Sequence, residues 1–472
     1  MKSTLLKKEN ERTEEEDQPS ALISPGLTHR SVAKRITRIP LAPRTPRGWI
    51  LLFALALALS AVLTASLCWL LMKGTGIWGI NQPVAWGLAI VNFVWWIGIA
   101  HAGTLISAIL LLFRQRWRAS IGRIAEAMTI FAVVCAGIFP LLHMGRPWLF
   151  YWLLPYPNTM RMWPQFRSPL MWDVFAVGTY ATISAIFWYM GMIPDLGAMR
   201  DRARTKAGQY GYGIAALGWR GSARQWMSHE SAMVLLAGMA TPLVLSVHTV
   251  ISFDFAVSLL PGWHSTIFPP YFVAGAIYSG LAMVLTLVIP LRRFYRLNEF
   301  INPRHIDNLG KAMLAAGLIV AYGYAMEAFM AWYSASHWEA FMLWNRLFGP
   351  MGWAYWTLLV CNLVLPLSTL WWRRVRASLP CMFVLSLIVN IGMWMERFVI
   401  VVTSQQRDFL PSSWGVYQPT RWEFATYAGT MGLFFLLFLL FLRFLPMIPI
   451  HEMRRLLAVE KREAGALAEV GD

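Results

Sequence analysis

Polar and apolar positions alternate along this chain on the scale of whole segments. Ten largely apolar stretches, at approximately 48–72, 84–113, 122–142, 169–193, 230–253, 270–291, 312–334, 351–372, 378–402 and 422–446, are separated by shorter polar connections. Stretches of about twenty apolar residues cross a hydrocarbon layer of ~30 Å as helices. In that layer the backbone must satisfy its own hydrogen bonds, which leaves the helix as the natural element. The pattern predicts an all-α integral membrane protein of about ten transmembrane helices. Helices two to five and six to nine would form two four-helix bundles, flanked by helices one and ten. The organisation reads as a polar N-terminal tail over 1–47, a ten-helix membrane domain over 48–446 and a polar C-terminal tail over 447–472. The first tail carries Glu14, Glu15, Glu16 and Asp17 beside several basic residues and reads as a flexible or partner-binding arm. It is too long for the basic start of a cleaved signal peptide, so the first helix is expected to be retained.

Composition sharpens this picture. Only 14% of the 472 residues are charged and 57% are hydrophobic, against about a quarter charged in a soluble domain. A water-soluble enzyme is therefore excluded. The net charge of +17 sits in short clusters between apolar segments, a distribution that fits a membrane and not nucleic acid. Basic residues fill alternate connections: Lys34, Arg35, Arg38, Arg44 and Arg47; Arg114, Arg116, Arg118 and Arg123; Arg200, Arg202, Arg204 and Lys206; Arg292, Arg293 and Arg296; Arg373, Arg374 and Arg376; Arg454 and Arg455. By the positive-inside rule both termini are expected to be cytoplasmic. Cys68, Cys135, Cys361 and Cys381 lie inside apolar runs and form no CxxC or CxxCH. No covalent haem c or cysteine-held iron–sulfur cluster is expected on this chain.

Ionisable residues at membrane depth are costly and point to function. His143 ends the third segment and Asp173 begins the fourth, so both are expected near the extracytoplasmic face, as a His–carboxylate pair at the two ends of one connection. That connection is rich in Trp148, Tyr151, Trp152, Pro155, Tyr156, Pro157, Trp163 and Pro164, which read as an interfacial aromatic belt or as the roof of a pocket. Arg146 reads as an anchor, or as a residue positioning a head group. His101, Glu126, His143, Asp173 and His248 fall on four successive helices at graded depth, a series able to carry protons. Each also has a bland reading as a buried hydrogen-bonding residue or a helix-dipole partner. His264 in the next outer loop reads as exposed. In the second half, Glu327 has no cation in its own helix, so a protonated carboxyl or a water-filled cavity is expected around it. Glu396 and Arg397 are adjacent, do not share a helix face, and are expected to find separate partners. For bis-histidine haem, His143 and His248 barely match in depth and His101 has no depth-matched partner. No HExxH, Walker loop or nucleophile elbow is present at a suitable depth.

A histidine and a carboxylate at one membrane face suit a lipid-soluble carrier of two electrons and two protons, because quinol oxidation needs acceptors for both protons. Since the chain shows no redox centre, the electron acceptor is expected on another subunit outside the membrane near residues 143–168. A secondary transporter, with Glu327 and Pro242 central, and a non-catalytic anchor of a redox complex are the alternatives.

At Phe139-Pro140-Leu141-Leu142-His143-Met144-Gly145-Arg146-Pro147 and Phe166-Arg167-Ser168-Pro169-Leu170-Met171-Trp172-Asp173 the chain resembles the polysulfide reductase NrfD-like family of quinone-binding membrane subunits. Within it the chain is most similar to the ActC type of large membrane subunit in bacterial alternative complex III, over about residues 45–450. The resemblance implies a quinol:electron-acceptor oxidoreductase subunit with menaquinol as donor and His143 and Asp173 at the quinol site. It further implies an extracytoplasmic iron–sulfur subunit, haem c subunits and a second NrfD-like membrane subunit as partners, with coupled proton translocation. His101, Glu126, His248, Glu327 and Glu396 are added as proton-path residues from their depth alone.

Overall fold

The computed structural model describes residues 22–23, 26–154 and 166–470. The acidic run Glu14–Asp17 and the connection residues Pro155, Tyr156, Pro157, Trp163 and Pro164 lie outside the described residues. The described residues contain helices and no strand.

The helices are α1 (His29–Arg38), α2 (Arg47–Lys73), α3 (Gly87–Leu112), α4 (Arg118–His143), α5 (Pro169–Arg200), α6 (Lys206–Ala215), α7 (Ala223–Ala256), α8 (Phe268–Phe294), α9 (Pro303–Tyr333), α10 (His337–Phe348), α11 (Gly352–Thr369), α12 (Leu379–Gln406), α13 (Arg421–Phe444) and α14 (Ile450–Val470). Nine described helices are each long and apolar enough to cross a membrane. Together α10 and α11 are long and apolar enough for a tenth, broken span, bent by 80° at the break between them. Pro242 does not interrupt α7, which runs through it as one helix.

Burial follows the composition of each helix. The most apolar stretch of α3 is 83% buried and that of α8 is 78% buried, while that of α2 is 17% buried. The first two are apolar on all sides and have protein on all sides; α2 turns its surface to lipid. Helices α3, α4, α5 and α7 close one four-helix bundle, and α8, α9, α11 and α12 close a second. The bundles join along α3 and α8, while α2 and α13 pair with each other beside α4.

Small residues permit this closeness. A Cβ on Gly280 of α8 would stand 1.8 Å from Ala102 Cβ of α3, and one on Gly103 of α3 would stand 2.1 Å from the Ala125 carbonyl oxygen of α4. In lipid, helix association rests on such van der Waals fit, because apolar tails are no worse a solvent for leucine than a neighbouring helix.

The described parts of both polar terminal segments pack on the helices. Thr28 and Ser31 cap α1 reciprocally, and α1 packs on α14. Arg454 Nε donates to the His29 carbonyl at 3.1 Å, and Arg443 donates to the carbonyls of Pro40 and Ala42 at 2.8 and 3.0 Å. Residues 26–47 and 450–463 therefore cover one end of the helices. Charged side chains here find partners on the body of the protein. The same end carries the arginine-rich connections and is called the basic end below.

Candidate functional site

The end of the first bundle opposite the basic end gathers three ionisable side chains. α4 stops at His143, where Gly145 at φ +74° turns the chain in a conformation that favours glycine. His143 Nδ1 is shielded from solvent and has no hydrogen-bond partner among the described residues. α5 starts at Ser168-Pro169, so Asp173 falls within its first turns and is buried. The Asp173 carboxyl lies beside the Asp254 carboxyl near the end of α7, close enough for the two to act on each other. Among the described residues, one oxygen of each, Oδ1, is buried without a hydrogen-bond partner. A hydrogen bond between two carboxyls requires a proton on one of them.

His143 and Asp173 lie at the two ends of one connection, as the spacing allows, and among the described residues no hydrogen bond or ion pair joins them. α5 and α7 pack side by side, which brings Asp254 to Asp173 first. Trp172 stands edge-on to Phe253 with ring centroids 6.3 Å apart, and its Nε1 donates to the Phe166 carbonyl at 2.6 Å. Arg146 is exposed and makes no side-chain hydrogen bond or ion pair among the described residues. His264 is exposed too, with Nδ1 3.0 Å from the Ser258 carbonyl.

Deeper in the same bundle, His101 of α3 and His248 of α7 meet with their Nδ1 atoms 2.7 Å apart. This corrects the expectation that His101 lacks a partner at its own depth. α3 and α7 run in opposite directions, and the turn lengths at their ends set their register. The Tyr180 ring stands edge-on to His101 at 4.6 Å and its hydroxyl donates to the Ala100 carbonyl at 2.8 Å. Thr129 Oγ1 donates to the same carbonyl at 2.7 Å and accepts from the Thr104 amide at 2.8 Å. Thr104 Oγ1 donates to Ser184 Oγ at 3.2 Å.

Toward the basic end the series continues in charged residues. Ser107 donates to Glu126, and Arg118 bridges Glu126 at 3.3 Å and Glu452 of α14 at 2.6 Å. Beside it Arg123 pairs with Asp195 at 2.5 Å, and Asp195 accepts from the Ile450 amide at 3.1 Å, anchoring the start of α14. Burial works to raise the Glu452 carboxyl, yet Arg118, with His451 and Arg123, holds it below the usual glutamate range. Arg118 and Arg123 read in sequence as solvated positive-inside charges; here both are buried in ion pairs.

The second bundle has its own polar core. Glu327 of α9 pairs with Arg346 of α10 at 2.6 Å, a cation from outside its own helix where a protonated carboxyl or a water-filled cavity was the expectation. The cation comes from the helix across the connection, which inspection of α9 alone could not reveal. Arg346 also donates to the Gly262 carbonyl at 3.0 Å and to Ser404 Oγ at 3.2 Å. The pair borders a cavity of about 260 Å3 lined also by Glu339, Met342 and Tyr355. Glu396 and Arg397 bond each other directly, against the expectation from helix geometry. Their side chains are long enough to meet sideways, and both are buried away from competing water. Each also has a separate partner: Tyr324 donates to Glu396, and the Arg397 guanidinium lies over the Phe272 ring at 4.6 Å. Asn362, in a π-helical turn of α11, donates to Tyr324 at 2.8 Å; such turns recur at functional sites.

Reading the sequence left out Asp254, Tyr180, Asp195, Arg346, Tyr324 and Glu452 as site residues. A charge inside or just beyond an apolar run marked Asp254, Asp195 and Glu452. Nothing local marked the tyrosines, which are common in such helices.

A family model described as polysulphide reductase, NrfD, matches residues 76–408, a span that takes in both bundles from α3 to α12. The chain is 26% identical over 422 residues to a putative dimethyl sulfoxide reductase membrane subunit of Halobacterium salinarum, covering 82% of this chain and 88% of that protein. It is 23% identical over 370 residues to the Hdr-like menaquinol oxidoreductase integral membrane subunit of Archaeoglobus fulgidus, covering 76% and 81%. Against a selenate reductase subunit of Mesobacillus selenatarsenatis it is 25% identical over 222 residues, covering 46% and 51%.

Proposed function

The chain belongs to the NrfD family, and from that membership we propose that it is the quinol-binding membrane subunit of a respiratory or photosynthetic electron-transfer complex, with menaquinol as its substrate. The basic end faces the cytoplasm of a bacterial inner membrane, and the quinol is oxidised at the opposite end, beside His143, Asp173 and Asp254. The observation that carries this reading is the buried carboxyl pair, each member with one oxygen unpartnered among the described residues, on the same end as an imidazole whose Nδ1 is likewise unpartnered.

Oxidation of a quinol to a quinone releases two protons and two electrons. A carboxyl pair that already shares a proton has capacity for one more, and His143 Nδ1 has a free lone pair for another when its ring carries its proton on Nε2. Arg146 stands at the rim as a positioning residue for the head group. The two electrons go to an iron–sulfur subunit docked on the extracytoplasmic side, then to haem c subunits and a soluble carrier. Together with a second NrfD-like membrane subunit these make up an assembly of the alternative complex III kind.

Protons move through the first bundle by way of His248, His101 and Glu126, and through the second by way of Glu327 and Glu396. In support, the hydroxyls of Tyr180, Thr104, Thr129 and Ser184 lie between the histidine pair and Glu126. Against a transporter stands the Glu327–Arg346 pair, which neutralises the charge such a reading would use.

The test is Asp173→Asn in the complex isolated from native membranes. Loss of quinol oxidation with every partner protein retained and the haem spectrum intact is the expected result. Unchanged turnover would leave only a membrane anchor.

A further inference from the structure

At the basic end, far from the carboxyl pair, a cavity of about 510 Å3 opens between α1, the start of α2, the connection from α8 to α9 and the end of α13. Among the described residues, five arginines line it, Arg35, Arg38, Arg44, Arg296 and Arg443, against the single carboxylate of Glu299. Arg35 is paired with Glu299. Arg443 donates to Thr45 Oγ1 at 3.2 Å and to the carbonyls of Pro40 and Ala42, neutral acceptors that leave its charge uncompensated. Arg38, Arg44 and Arg296 are exposed and make no side-chain hydrogen bond or ion pair among the described residues. Arginines gathered around a concavity without acids to match them raise a strong positive potential and present planar donor forks suited to phosphate.

The cavity also has an apolar flank on the side where the membrane begins. Trp49 lies in its wall and stacks on Phe53 one turn further along α2, with ring centroids 4.8 Å apart and planes within 11°. Phe294, in the opposite wall, is 73% exposed. Leu51, on the outer surface of α2, is 72% exposed. The ligand that meets both halves has a compact anionic head and long apolar chains.

We propose that this cavity binds an anionic phospholipid, with its phosphate among Arg38, Arg44 and Arg296 and its acyl chains along Trp49, Phe53 and Phe294. Basic recesses between transmembrane helices bind such head groups. A zwitterionic lipid brings its own cation into the arginine cluster and is disfavoured. A free phosphate ion satisfies the head of the site and leaves the aromatic flank unused. The site ties α1 and the chain before α2 to α8 and α13, so an occupying lipid would fasten the peripheral helices to the second bundle.

The test is a native mass-spectrometric titration of the full-length protein, in the complex in which it is isolated and stripped of lipid by detergent. The probes are phosphatidylglycerol, phosphatidylcholine and inorganic phosphate. The expected result is one saturable phosphatidylglycerol site, at least tenfold tighter than phosphatidylcholine and not displaced by millimolar phosphate. In Arg38→Gln/Arg44→Gln/Arg296→Gln, affinity should fall on the order of a hundredfold, since each basic residue near an anionic head group contributes about fivefold. The control Arg30→Gln/Arg204→Gln/Arg224→Gln, which removes the same charge from exposed positions outside the cavity, should bind as the unaltered protein does. The single variants, each expected to lose about fivefold, give the same reading should the triple variant fail to fold. Equal binding of both lipids, displacement by phosphate, or equal losses in the two triple variants would each overturn the proposal. So would loss of an accompanying protein with lipid binding unchanged, which would assign the cavity to a protein segment.

Discussion

His101 and His248 face each other nitrogen to nitrogen, with 2.7 Å between their Nδ1 atoms. One Nδ1 must donate and the other accept, so two neutral rings at this distance are held in opposite tautomers. Each Nε2 is buried without a partner among the described residues, and the accepting ring carries its hydrogen there. Replacing one histidine strands the other. His101→Leu and His248→Leu should each destabilise the protein by about 1–3 kcal/mol, while the double variant should lose less than the sum of the two, with a coupling of about 0.5–3 kcal/mol. Denaturation of the four proteins in one detergent measures this. Additive losses would mean that the rings do not interact.

The Asp173–Asp254 pair makes a prediction about its second member. If the two carboxyls take up a quinol proton as a unit, Asp254→Asn should lower quinol oxidation by about 10²–10⁴-fold, the range of positioned acid–base groups. The double variant should be little worse than either single one, because groups that act together are not additive. An asparagine can still hydrogen-bond the remaining carboxyl, so assembly should survive. Steady-state turnover of the isolated complex decides the matter, and full activity in Asp254→Asn would remove it from the site.

Gly280 tests the seam between the bundles. With Ala102 Cβ 1.8 Å from where a new methyl would go, Gly280→Ala forces α3 and α8 apart. Overpacking of this kind costs about 1–3 kcal/mol. Gly137, around which a Cβ meets nothing within 4 Å, should accept alanine with little change. Melting temperatures of the two variants, compared side by side, check the difference.

The attachment of α14 carries a pH dependence whose direction follows from Glu452. Its carboxyl, raised by burial but held down overall by Arg118, titrates below its unfolded value. A group depressed in this way contributes stability above the ordinary glutamate range of ~4.3 and loses it as pH falls through the lowered value. Amide exchange in α14 should therefore stay slow from about pH 8 to about pH 5 and quicken only in more acidic buffer. Glu452→Gln should quicken it already near neutral pH, with the spans unaffected, as read by hydrogen–deuterium exchange.

Much of this protein is written in single segments. Length and hydropathy are properties of consecutive residues, so the number of crossings and their approximate ends follow from the chain alone. The membrane further restricts the outcome to helices with short connections, which makes two antiparallel bundles a natural expectation. The isolated charges His101, Glu126, Asp173, His248, Glu327 and Glu396 were visible for the same reason: each is a costly interruption of an apolar run.

Partnership is another matter, because it depends on the axial register and rotation of helices far apart in sequence. A slide of one turn, about 5.4 Å, would part the ring nitrogens of His101 and His248. A helix rotation would turn Asp254 from Asp173 into lipid. Arg346 reaches Glu327 from a short helix folded back by the 80° bend before α11, and no periodicity encodes that bend. The terminal segments show the same division. Their polarity is plain in the sequence, but whether Arg118 meets water or Glu452 is decided only when α14 folds across the end of the first bundle. Apolar runs thus determine which segments enter the membrane, and three-dimensional packing determines which of the polar atoms they carry can share a proton.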